Sequence, residues 1–339
     1  MRYEHIARAF FGQPWALMPE KLHAIADLIR LRAAGGHVSA EEIAAVVGAA
    51  RQPAPRQSGG MVAVIPVYGV ISPRATLMTE SSGGTPAELV GRALDAALAD
   101  PAVGSILMEF DSPGGSVVGM TELAAKIRAT NATKPVTAHV NALAASAAYW
   151  LASQAGEVVV TPSGMVGSIG VFTEHADLSR ALDAEGITPT LISAGKYKVE
   201  ASPYEPLSAD ARAALQKMVD DVYGMFVADV AKGRRVSASA VRSGFGEGRV
   251  VSAKDAGVLG MVDRIASFDD TLARLAGRPR QARAVAAVLS DTEFVAGVGE
   301  ALAEEAAGVE CKTIEQIDAE VAAADIDIRR RRLALLGGR

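Results

Sequence analysis

An α/β domain with mainly parallel strands and helical crossovers is predicted by three features of the sequence. Short apolar runs of β type alternate with helix-like stretches from about residue 61 onward, the order that βαβ units require. Half of the residues are hydrophobic and 22% are charged, the balance of a chain that buries a core. The length of 339 residues suits one large α/β domain with extensions, or two modest domains.

The elements follow in order. Residues 1–50 read as an N-terminal helical segment, because Leu22, Ile25, Leu28 and Ile29 recur at helical spacing and Ile43, Val46 and Val47 repeat the pattern. "RQPAPRQSGG", residues 51–60, is rich in proline, glycine and polar residues and reads as a linker. Residues 61–277 are the main domain. It opens with "MVAVIPVYGVI", a strand pair or one bent strand in which Pro66 requires an edge or a bulge. "GSILMEF", "PVTAHV", "GEVVVT" and "GSIGVF" are expected as strands, and residues 87–99, 116–130 and 176–185 as helices. Residues 208–232 form a longer amphipathic helix with Leu215, Met218, Val219, Val222, Phe226 and Val230 on one stripe, the mark of a core or a subunit interface. Residues 278–339 are an alanine- and acid-rich tail, helical or partly flexible. It ends in the basic cluster Arg329 to Arg332, read as a solvated charge run that could also dock on an acidic partner.

Composition excludes several classes. The net charge of −5 gives no reason to expect a nucleic-acid binder. Cys311 is the single cysteine, so no intramolecular disulfide and no cysteine metal cluster is expected, and a reduced intracellular setting fits. Glu4, His5, Pro14 and Pro19 spoil the first residues as a secretory signal, and no window is apolar for long enough to span a membrane.

Two stretches could carry chemistry. In "MEFDSPGGSVVGM" a strand is expected to end at Phe110, Pro113 to enforce a turn, and Ser116 to cap the following helix. Gly114 and Gly115 allow unusual dihedrals there, and backbone N–H groups in such a turn can point into a cleft. An ordinary strand-to-helix turn would look the same, and the spacing matches no phosphate loop. In "VNALAASAAYWLAS" a lone hydroxyl, Ser146, sits where a strand becomes a helix. Alanines at 144, 145, 147 and 148 let a backbone approach closely and leave the Ala147 N–H accessible. Taken alone, Ser146 is a helix cap.

As a nucleophile it would need a base. None of His5, His23, His37, His139 and His175 sits in a triad-like motif. A desolvated lysine is the other option, and Lys196 and Lys198 lie in "SAGKYKVEASPYEPLS", where surface lysine is the default reading. Ser168 follows Gly167 at the start of the strand expected in "MVGSIGVF", where its hydroxyl could orient a lysine or satisfy local backbone.

Taken together, "DSPGG", "AASAAYW", "GSIGV" and "GKYK" followed by "SP", in that order across about residues 60–265, resemble the serine peptidase family S49 of signal peptide peptidase A and the phage head maturation proteases. The resemblance implies a ClpP/crotonase-like superhelix of repeated ββα units with helical N-terminal and C-terminal extensions. It implies Ser146 as nucleophile, Lys198 as general base and Ser168 as the residue that holds that lysine. The Ala147 N–H and one N–H from Gly114 or Gly115 would form the oxyanion hole. Lys196 would serve the surface or substrate binding. The dyad is expected to assemble between protomers of a ring-like homo-oligomer, with no metal and no cofactor.

The opening stretch "ARAFFGQPWALMPEKLHAIADLI" resembles the start of capsid-assembly proteases, and signal-peptide peptidases usually begin with a membrane anchor instead. The expected function is therefore cleavage of scaffold, portal or capsid proteins, in the host cytoplasm within proheads. Three alternatives remain: a soluble bacterial peptidase that clears signal or membrane-derived peptides, a crotonase-type acyl-CoA enzyme, and a non-catalytic assembly factor.

Overall fold

The computed structural model describes residues 14–33, 61–74 and 84–277, which lie in the first of the two units into which the chain divides, Met1–Arg280. The helical pattern at 43–47, the linker at 51–60 and the tail from 278 fall outside the described residues.

The centre is a parallel sheet. β2 (Met61–Tyr68), β5 (Val103–Ser112) and β7 (Val136–Ala145) pair in parallel in that order. Both faces of such a sheet are covered, and even the polar Glu109, Thr137 and His139 on β5 and β7 are buried. Leu107, Met108 and Phe110 on β5 are all fully buried. β2 is the end strand of this sheet, which is where Pro66 can be tolerated. α2 (Ala87–Ala99) and α3 (Met120–Thr133) are the crossovers; they bury Val90, Leu94 and Ala97, and Met120, Leu123, Ala124 and Ile127, at helical spacing.

β7 forks. Residues 137–140 pair with β8 (Glu157–Val160), and residues 143–145 pair with β9 (Met165–Gly167). β10 (Val250–Ser252) runs antiparallel to β9, and β11 (Arg264–Ile265) parallel to β8. Beside this lies a small sheet of β1 (Trp15–Leu17), β6 (Gly114–Ser116), β3 (Ile71–Ser72) and β4 (Thr85–Pro86), in that spatial order. The expected N-terminal helix is α1 (Pro19–Ala33), which places Leu22 and Ala26 on Trp15 and Leu17.

α4 (Ala147–Ala152) is short and entirely buried. Its Trp150 stacks on Phe226 of α6 (Ala209–Arg234) with ring centroids 4.4 Å apart, and the indole N–H donates to Asp229 at 2.9 Å. Arg128 of α3 pairs with the same carboxylate at 3.1 Å. Gly233 permits close contact on this side, since a Cβ there would come within 2.0 Å of the Ser153 carbonyl oxygen.

Several expectations shift. β5 runs on to Ser112 rather than ending at Phe110. Ser116 belongs to β6 and caps no helix; α3 begins at Met120 after Gly119, and the Ser116 hydroxyl accepts from Val118 N–H at 3.2 Å. The strand expected in "GSIGVF" ends at Gly167 instead of beginning there, because Ser168 at φ 53° turns the chain out of the ladder. The helix expected at 176–185 shrinks to α5 (Ser179–Ala184). On α6 the predicted stripe is core only in its second half: Phe226 and Val230 are buried, whereas Leu215, Met218 and Val219 are half-buried.

From 177 to 201 the chain makes an excursion that is largely exposed, with Ile187, Leu191 and Tyr197 about half exposed and Ile192 95% exposed. Its base is closed by Leu178 N–H to the Pro203 carbonyl at 2.8 Å and by the His175 ring to the Ser202 carbonyl at 3.0 Å.

Candidate active site

Ser146 sits between the last residue of β7 and the first of α4. Its backbone is at φ 56°, ψ −122°, a conformation that L-residues avoid and that is held only where the surroundings over-determine it. Those surroundings are visible: the Ser146 N–H donates to the Gly167 carbonyl at 2.7 Å, and its own carbonyl accepts from Trp150 N–H at 2.9 Å. The hydroxyl makes no capping bond and reaches only the Gly170 carbonyl, at 3.5 Å. A cap is therefore not what this serine is for. The residue is 1% exposed.

The glycine pair lies against it. Gly114 has φ 101°, and a Cβ there would stand 2.9 Å from the Ala145 carbonyl oxygen and 3.0 Å from the Ala147 nitrogen. No other residue fits. The alanines at 144, 145, 147 and 148 are all fully buried, so their small size serves close approach of β6 to the Ser146 turn. Gly114 donates its N–H to the Ser112 hydroxyl at 3.2 Å, and that hydroxyl donates to the Gly69 carbonyl at 2.6 Å. Gly115 is opposite Ala16 in the antiparallel pair of β6 and β1, and a Cβ there would come within 1.9 Å of the Ile71 carbonyl oxygen.

Ser168 is buried to 8% exposure, with its N–H on the Arg249 carbonyl at 2.8 Å, and it adjoins the Gly167 carbonyl that holds Ser146. Ser146, Ser168, Ala147, Gly114 and Gly115 are thus brought together. Lys198 is not: it is exposed on the 177–201 excursion, and among the described residues no hydrogen bond or ion pair joins it to either serine. Lys196 lies over the Tyr197 ring at 4.6 Å.

Among the histidines, His139 is fully buried, with one ring nitrogen 3.2 Å from the Ala266 carbonyl oxygen and Nδ1 without a partner. Burial holds its pKa below the usual histidine range. It is a core residue.

Two features were missed from sequence. Glu109 is buried between the Tyr68 hydroxyl and the Asn141 amide, which tie β2 and β7 to β5 just below the site. Trp15–Leu17 was not foreseen as a strand; three residues between Pro14 and Pro19 carry too little period to be read. Among the described residues no cluster of His, Cys, Asp and Glu is arranged to hold a metal ion, and no helix is long and apolar enough to cross a membrane. An open groove of about 390 Å³ runs between residues 171–175 and α6, lined by Phe172, His175, Arg212 and Leu215 among others, and Ser146 is not in its wall.

The sequence profile of Peptidase family S49 matches residues 128–281. The capsid assembly protease C of Escherichia phage lambda is 30% identical over 94% of this chain and 79% of its own length. The head-tail preconnector protein GP5 of Enterobacteria phage P21 is 31% identical over 78% of this chain, which spans 56% of that protein. Protease 4 of Salmonella typhi is 30% identical over 66% of this chain and 35% of its own length.

Proposed function

Because the chain belongs to peptidase family S49, we propose that it is a serine endopeptidase of capsid assembly, cleaving scaffold, portal or capsid proteins of a phage or prophage. The observation that carries the peptidase reading is the Ser146 turn: a strained residue at a strand-to-helix junction, uncapped, with a glycine strand packed against the next N–H. The capsid reading is supported by the similarity to the lambda protease, which extends over nearly the whole chain, whereas that to the Salmonella protease covers two thirds of it. We read the parallel sheet with its forked β7 as a ClpP/crotonase-like arrangement.

In this mechanism the Ser146 Oγ attacks the scissile carbonyl carbon while Lys198 Nζ takes the hydroxyl proton. The oxyanion that forms is held by the Ala147 N–H and by the Gly115 N–H, since Gly114 already spends its own on Ser112. The carbon–nitrogen bond then breaks, Lys198 returns the proton to the leaving amine, and water repeats the cycle to release the acyl group. Ser168 orients the lysine. A lysine acts as a base only when it is neutral, which requires loss of water around it. In a free chain Lys198 stands in solvent, on an excursion that also exposes Ile187, Leu191 and Ile192. A neighbouring copy that covers this excursion would supply the desolvation and the serine together, in a ring-like homo-oligomer within the prohead in the host cytoplasm.

The test is complementation. Ser146→Ala and Lys198→Ala should each abolish cleavage of a co-expressed capsid or scaffold protein. Mixing the two inactive proteins should restore it to about a quarter of wild type, the share of interfaces that pair an intact serine with an intact lysine in random assembly. Single variants that still cleave would overturn the dyad. No recovery on mixing would overturn its sharing between copies.

A further inference from the structure

β1 lies between two strand edges at the Ser146 turn. On one side it pairs antiparallel with β6, Trp15 opposite Ser116, Ala16 opposite Gly115 and Leu17 opposite Gly114. On the other side Trp15 exchanges both of its backbone bonds with Phe172, at 2.8 and 3.1 Å. Alternation along a strand then turns the N–H and C=O of Ala16 toward Gly115, and the Met18 N–H, two residues on, indeed bonds the Pro113 carbonyl at 3.1 Å. The Ala16 carbonyl oxygen would be 2.3 Å from a Cβ on Gly114, the same position that approaches the Ala147 nitrogen.

An extended peptide cleaved by a buried serine is bound by adding as a strand to such edges. We infer that Trp15–Leu17 is the resident occupant of the peptide groove, and that substrate enters by displacing it. This rests on the reading of Ser146 as nucleophile. Three observations support it beyond the pairing. The backbone donor assigned to the oxyanion, Gly115 N–H, faces Ala16 in the closed state. Ser146 is only 1% exposed, so a peptide cannot reach its hydroxyl unless a neighbouring element moves. The hold on β1 is divided: Ala16 belongs to the main core, whereas Trp15 and Leu17 pack with Leu22 and Ala26 in a separate satellite cluster on Val70 and Phe172. The alternative is that β1 is a fixed wall of the site.

Two experiments decide between them. In a Cys311→Ser background, Trp15→Cys with Ser116→Cys puts a thiol pair across a directly opposed, non-hydrogen-bonded position, where a disulfide can form. Fluorescently labelled casein should be cleaved at least about tenfold more slowly by the oxidised form than by the reduced form, and dithiothreitol should restore the rate. Equal rates in the two forms would overturn the proposal. Hydrogen exchange on the full-length Ser146→Ala protein gives a readout that needs no catalysis. Excess reduced, carboxymethylated casein should raise exchange at residues 15–18 while keeping Gly115 and Phe172 protected. Unchanged protection at 15–18 would mean the strand is a wall. If no form cleaves casein or takes up a fluorophosphonate at Ser146, the serine mechanism has failed, and the exchange result still decides whether the strand yields.

Discussion

At the scale of the residue, the site is built from conformations that cost stability. Ser146 at φ 56°, ψ −122° is held against a preference worth roughly 1–3 kcal/mol. Glycine adopts this conformation freely, at an entropic cost of roughly 0.5–1 kcal/mol. Ser146→Gly should therefore be catalytically dead yet more stable than wild type by about 1 kcal/mol, read as a raised denaturation midpoint; a less stable variant would show that the turn is not strained. The sequence made this position conspicuous because an isolated hydroxyl in an alanine run has few structural duties. What it did not disclose is the direction of the two glycine donors. Gly114 and Gly115 are equivalent on paper, and only the pairing of β6 with β3 on one side and β1 on the other separates them.

At the scale of the element, α4 follows directly on the Ser146 turn and is itself pinned from behind. Asp229 is 3% exposed and accepts from the Trp150 indole while pairing with Arg128. Asp229→Ala leaves the buried Trp150 N–H without its acceptor and the half-buried Arg128 guanidinium without its carboxylate, with only the Gln154 Oε1 still accepting from it, so we expect a loss of about 2–4 kcal/mol by chemical denaturation. Activity should fall with it at temperatures where the variant is still folded, since the Ser146 carbonyl is bonded to the same Trp150. The strands of the parallel sheet were legible because each is built around a short, mostly apolar, β-branched-rich run set between helix-like stretches. The strand expected after Gly167 was not, because the dihedral of Ser168 overrides the β-like composition of "GSIGVF". The long amphipathic stripe was readable as a helix, but periodicity alone does not tell which half of a helix meets the core.

At the scale of the whole molecule, stability should depend on acid in two stages. Burial holds the His139 pKa below that of an exposed histidine, so the folded chain refuses a proton that the unfolded chain accepts. Stability is then complete above about pH 6.5 and declines as the pH falls from there toward the depressed folded value. Burial alone would raise the Asp263 carboxyl, but the Arg234 guanidinium, at 2.7 and 2.8 Å, and the Val158 N–H outweigh it and hold it below the usual range. Its contribution is present above about pH 4 and is lost as the pH falls further. His139→Phe, beside the Phe268 ring it already meets edge-on, should remove the first decline and keep the second in calorimetric scans from pH 8 to 3. Neither group was legible, since burial and pairing between residues 29 to 127 positions apart leave no local mark. The exposed excursion from 177 to 201 has a kinetic consequence of its own. If its lysine serves another copy, activity per chain falls on dilution: isolated copies are idle, and only copies brought close together cleave.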